Sequence, residues 1–202
     1  MINLNEKKRQ KLDDFRKIFE EYNSHTNLMS KNDLPKIWSK HIPDSLSISL
    51  FFEKYGVPSS AIDIGSGGGF PSVPVAVVYD RINVTAVDSI AKKVRFLELA
   101  KEKLELMNYT PICDRVENLH NKFKNSFDLV TSRAVADLSK IIEYSYPFLK
   151  KNGFIVAYKS KNADNEINDA NKITEKYKLK LADKLYYSLE DSEERCLVVL
   201  KK

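Results

Sequence analysis

Apolar positions follow two rhythms along the chain. In the first, Leu12, Phe15, Phe19 and Tyr22 recur at three-and-four spacing between charged residues, which predicts an amphipathic helix with one buried stripe. The stretch SHTNLMSKND breaks that period. Asp33, Leu34 and Pro35 then read as a helix start, with proline in the first turn. A second helical stretch carries Ile37, Trp38 and His41, and a third carries Leu46, Ile48 and Leu50 to Phe52. From residue 60 the rhythm changes. Short β-rich runs at Ala61–Ile64, Ile82–Val87, Thr110–Cys113, Phe127–Thr131 and Gly153–Tyr158 predict strands. Helical stretches near Ser72–Tyr79, Ala91–Met107, Leu138–Leu149 and Ala163–Tyr177 lie among and after them. Alternation of this kind implies parallel strands joined by right-handed crossovers, an open α/β sheet. The last two runs, Leu181–Tyr187 and Arg195–Leu200, are joined only by a short polar connection and are expected to pair antiparallel. The expected organisation is a helical extension over 1–59 attached to a Rossmann-like domain over 60–202.

Glycine changes the picture first. The chain has six glycines. Four of them stand at Gly65, Gly67, Gly68 and Gly69, directly after the first strand, in DIGSGGGFPSVP. Glycine there lets a ligand lie against bare backbone, and the following helix N-terminus offers free N–H groups and partial positive charge. The next strand ends on Asp88, about twenty residues beyond the first glycine, where an acid grips a ribose hydroxyl pair. A dinucleotide fingerprint is excluded, because its third glycine falls on Phe70. A phosphate loop is excluded too, since no Gly-Lys-Ser/Thr follows. What remains, Asp63, Gly65, Gly67 and Gly69, resembles the first motif of class I S-adenosylmethionine-dependent methyltransferases. That resemblance implies a mostly parallel seven-stranded sheet with an antiparallel last strand.

A narrower resemblance follows. DIGSGGGFPSVP, VDSIAKKVRFLE, DRVENL and FDLVTSRAVADL, with KHIPDSL upstream, come in the order seen in the RsmG (GidB) family. The resemblance implies a cytoplasmic bacterial enzyme that methylates N7 of a specific loop guanosine in 16S ribosomal RNA, with S-adenosyl-L-methionine as cofactor. It implies cofactor contacts at Gly65, Ser66, Gly67, Phe70, Asp88, Ser89, Val116 and Glu117. Arg133 is expected at the methionine end of the cofactor and in the methyl-transfer zone, as the catalytic residue. His41, Asp44 and Lys159 are expected at the RNA substrate. The chain departs from the family pattern at Ser72, where glycine is common, at Val116, where alanine is common, and at Lys159-Ser160, where Lys-Gly is common.

Composition adds less. A hydrophobic content of 43% with 30% charged residues is that of a globular chain. A formal charge of +5 mildly favours a polyanionic partner, here the 16S RNA or the small ribosomal subunit. The two cysteines, Cys113 and Cys196, are far apart and form no metal-ligand spacing, so no metal is expected. No signal peptide or membrane span is expected. A monomer without membrane contact is the expected state. Two further readings stand beside this one: a class I methyltransferase acting on a small molecule or protein, and a nucleotide-binding module without catalysis.

Overall fold

The computed structural model describes residues 4–190 and 193–202. Its strands are β1 (Ser60–Ile64), β2 (Asn83–Asp88), β3 (Tyr109–Cys113), β4 (Phe127–Arg133), β5 (Leu149–Ser160), β6 (Lys180–Ser188) and β7 (Glu194–Lys201). They form one seven-stranded sheet in the order β3-β2-β1-β4-β5-β7-β6. The neighbours from β3 through β5 are parallel, and β7 pairs antiparallel with both β5 and β6. Strand order reverses between β1 and β4. In an open α/β sheet the crevice for ligands opens at the carboxyl ends of the strands flanking that reversal.

Helix α1 (Glu6–Thr26) opens with Asn5, whose side chain accepts from the Lys8 N–H, and ends at Asn27 in the left-handed region. Short helices α2 (Ile42–Leu46) and α3 (Ser49–Tyr55) lead into the sheet. The crossovers are α4 (Ser72–Val78), α5 (Ala91–Lys103) and α6 (Leu138–Ser145), and α7 (Ala163–Asp169) and α8 (Asn171–Lys176) follow β5. Several bounds fall short of those expected. The α5 period stops at Lys103 and the chain turns through Glu105 at φ 52°. Pro147 cannot continue α6, and the backbone is already extended at Leu149, so β5 begins before Gly153. A bulge in the β4–β5 pairing absorbs those extra residues. The helix expected over 163–177 is broken at Ala170.

The core lies on both faces of the sheet. On one face α1, α4 and α5 cover β1 and β2. There Leu12, Phe15 and Phe19 are fully buried in the same cluster as Phe70, Phe96 and Leu97. Ile42, Phe51 and Phe52, also from the segment before β1, belong to the same cluster. On the other face Leu138, Ile141 and Ile142 of α6 pack on Val130, Ile155 and Val198.

Candidate active site

The loop after β1 is shaped by glycine. Gly65, Gly67 and Gly69 adopt φ of 70°, 56° and 88°, a region that side chains resist. Space is short as well. A Cβ on Gly69 would sit 2.7 Å from Val73 Cγ2, and one on Gly65 would collide with Val135 Cγ2. A Cβ on Gly68 would meet Phe19 Cε2 at 2.5 Å, so α1 forms the floor of the loop. Phe15 and Phe19 hold Phe70 from below, at ring separations of 5.2 and 5.6 Å.

Asp88, at the end of β2, fastens this loop to the next one. Its Oδ2 accepts from the Gly67 N–H and its Oδ1 from the Ile90 N–H, both at 2.9 Å. The side chain is buried, with Lys93 Nζ 3.5 Å from Oδ2. Oδ1 accepts from protein only at Ile90, so it keeps a lone pair for a ligand donor.

These residues line a cavity of about 500 Å³. Gly65, Asp88, Ser89, Val116, Glu117 and Tyr144 contribute to its wall, with Ala134 and Val135 on the β4 side. A ligand the size of a nucleoside with an amino-acid tail falls within the range of such pockets. The cradle over Gly65, the buried Asp88 carboxylate and the apolar Val116 beside exposed Glu117 fit S-adenosyl-L-methionine: bare backbone, a diol acceptor and an adenine slot.

A second cluster lies beside the loop. Arg133 Nη1 donates to Asp44 Oδ2 at 2.8 Å, and its guanidinium sits 5.2 Å over the Phe70 ring. The His41 ring lies 5.4 Å from Phe70. His41 Nε2 is buried without a hydrogen-bond partner. Burial, and then the charge of Arg133, push the imidazole down to about 4. Beneath the loop, the fully buried Asp63 accepts from the Thr131 hydroxyl at 2.8 Å, while its Oδ2 has no hydrogen-bond partner. Burial pushes this carboxyl up to about 6, against the pull of Thr131.

The expected site residues are therefore distributed unevenly. Gly65, Asp88, Ser89, Val116 and Glu117 share the cavity wall. Gly67 reaches it through its bond to Asp88. The Ser66 hydroxyl turns inward to Asp63 O and the Phe70 ring belongs to the core, so both residues are buried beside the cavity rather than in its wall. Arg133, Asp44 and His41 form the neighbouring cluster, beyond Val135. Lys159, expected at substrate, stands apart from the cavity wall. Its buried ammonium is committed to Ala136 O at 2.8 Å and Glu166 Oε2 at 2.5 Å. Glu166 also accepts from the Leu138 N–H, so this pair pins the segment after β4. Tyr187, Val135, Tyr144 and Glu166 have no counterpart in the sequence reading. The strand alternation that places Tyr187 on β6 gives no hint that its hydroxyl meets Asp44.

Comparison with known proteins bears on the family and the fold. The family profile described as GidB, rRNA small subunit methyltransferase G, matches residues 8–194. The ribosomal RNA small subunit methyltransferase G of Lactococcus lactis subsp. lactis is 34% identical over 203 residues, covering 100% of this chain and 85% of that protein. The protein of the same name from Staphylococcus aureus is 33% identical over 210 residues, covering 100% and 84%. Among solved structures, M. jannaschii TYW2 in complex with AdoMet superposes with a TM-score of 0.63 at 20% identity, over 82% of this chain and 76% of that one. The M. jannaschii fibrillarin pre-rRNA processing protein gives 0.55 at 21% identity, over 71% and 66%. The structural likenesses show the class I methyltransferase fold. With a profile match over nearly its whole length and relatives aligned over all of it, this chain belongs to the rRNA small subunit methyltransferase G (GidB) family.

Proposed function

We propose that this chain methylates N7 of a loop guanosine in 16S ribosomal RNA, with S-adenosyl-L-methionine as methyl donor. The observation that carries the reading is the cavity where Gly65, buried Asp88 and Glu117 converge at the strand ends, next to Arg133. Bound there, S-adenosyl-L-methionine supplies an electrophilic methyl on a positively charged sulfur. Asp88 accepts the ribose hydroxyls while keeping the Gly67 and Ile90 amides in place. Val116 offers backbone and apolar contact to the adenine, and Glu117 flanks it. Arg133 orients the methionine end and the incoming base.

Guanine N7 presents a lone pair and carries no proton, so this chain needs alignment and exclusion of water rather than a base. The charged groups next to Arg133 suit that demand. Both oxygens of Asp44 are engaged, and His41 is neutral at physiological pH. After β4 the chain reads Ser132-Arg133-Ala134, without the paired prolines common in enzymes that methylate exocyclic amines. A guanosine in a loop is the accessible target, because the A-form major groove is too narrow to admit side chains to N7. The net charge of +5 favours a polyanionic substrate.

The test is methyl transfer from labelled S-adenosyl-L-methionine to unmodified 16S RNA and to the small subunit, with the modified base mapped by strand scission at N7-methylguanosine. Label confined to protein or small molecules would instead favour the other class I reading. A single-turnover rate that is flat between about pH 6.5 and 9 is expected, since no proton is removed in the chemical step.

A further inference from the structure

Arg133 is held by two segments distant from it in sequence. Asp44, from α2, accepts from Arg133 on Oδ2 at 2.8 Å. Its Oδ1 accepts from the Tyr187 hydroxyl on β6 at 2.6 Å. Asp44 is 4% exposed and Tyr187 is partly buried. The next residue of α2, Ser45, accepts on its carbonyl from the Tyr158 hydroxyl at 2.9 Å, which fixes the backbone that carries the carboxylate. The Asp44 carboxylate is buried, and each of its oxygens already accepts from a protein donor. What it does hold is direction. A guanidinium bonded at Nη1 and lying over Phe70 is restrained, which limits where its remaining donors point.

We propose that Asp44 and Tyr187 are positioning residues: the Tyr187–Asp44–Arg133 chain sets the orientation of the guanidinium for methyl transfer, and Asp44 does not itself contact RNA. Tyr187 supplies the lever. Its hydroxyl prevents the carboxylate from rotating about its terminal bond, and so keeps Oδ2 in line with Arg133. The N-terminal helical segment and the last hairpin thus both act on the reaction through one carboxylate. This inference rests on the methyltransferase reading of Arg133.

The experiment is a double-mutant cycle on the full chain, with S-adenosyl-L-methionine and unmodified 16S RNA or the small subunit. Tyr187→Phe removes one hydroxyl and keeps the ring, so folding is preserved and is checked by the urea midpoint. It is expected to lower the single-turnover rate about tenfold at saturating RNA, the scale of one bond to a charged group, with RNA affinity unchanged. Asp44→Asn is expected to lose at least as much. In the Arg133→Ala background, Tyr187→Phe is expected to have no further effect. A wild-type rate in Tyr187→Phe overturns the inference alone, as does an undiminished loss in the Arg133→Ala background. So does a loss that appears in RNA affinity instead of rate. A wild-type chain that transfers no methyl to ribosomal RNA overturns the proposed function and this inference together.

Discussion

At the residue scale the chemistry rests on a few buried polar groups. Asp88 is expected to bind the ribose and to hold the loop, so Asp88→Asn should act twice. It trades the charge for an amide whose NH₂ faces backbone N–H groups. S-adenosyl-L-methionine binding should weaken by about 1.5–3 kcal/mol, read by calorimetry; wild-type affinity would remove Asp88 from the site. His41 and Asp63 give pH signatures of opposite sign. His41 falls from 6.5 unfolded to about 4 folded, so the folded state binds fewer protons, and stability is lost as pH drops between those values. Asp63 rises from 3.8 to about 6, so the folded state holds its proton longer, and stability is gained over that fall in pH. Urea unfolding at about pH 7 and 5 separates them. His41→Gln should lose less stability on acidification than wild type, and Asp63→Asn more. Equal changes in all three chains would refute both assignments. The glycines and Asp88 were legible in sequence because they sit at fixed offsets around one turn. Tyr187 was not, because its bond to Asp44 spans 143 positions and no local pattern encodes such a contact.

At the scale of elements, the segment between β4 and α6 is the piece whose role sequence left open. Ala134 takes φ 55°, Val135 lies on Gly65, and Asp137 caps α6 by accepting from the Lys140 N–H. Lys159 and Glu166 hold its far end at Ala136 and Leu138. The departure from the family pattern at Lys159-Ser160 therefore falls where β5 meets this clamp. Lys159→Met keeps the stem and removes the ammonium. Amide exchange over 134–138 should accelerate, and the KM for S-adenosyl-L-methionine should rise about threefold to tenfold, on the scale of one ordinary hydrogen bond. Unchanged exchange would show that the segment holds itself. The elements themselves were readable from alternation of apolar runs, except at their ends. There, local events decided the matter: the turn at Glu105, the proline after α6 and the bulge at the start of β5.

At the scale of the molecule, buried side chains of the N-terminal helical segment share one hydrophobic cluster with the sheet. Phe19 touches both Phe70 and Phe96 and lies against Gly68. Phe19→Ala should cost about 3–5 kcal/mol, the range for a large buried aromatic. Unfolding should still be one transition. The single tryptophan, Trp38, reports on the N-terminal segment, while circular dichroism reports on the whole chain. The two curves should coincide in wild type; separated midpoints would mean that residues 1–59 unfold alone. Sequence could not settle this, because an amphipathic stripe states only that a helix buries one face, not against what.

The strand order has a consequence for synthesis. β7 lies between β5 and β6, yet it is made after both. Until residues 194–201 leave the ribosome, β5 keeps an open edge and β6 has no neighbour to pair with. The parallel half from β1 to β4 is complete long before. A nascent chain arrested with residue 190 at the tunnel exit should therefore resist protease up to β4 and be cut readily between residues 161 and 190. Releasing the last strand should close the sheet in one step. The Tyr187–Asp44 contact thus waits for β7, the strand that seats β6 against the rest of the sheet.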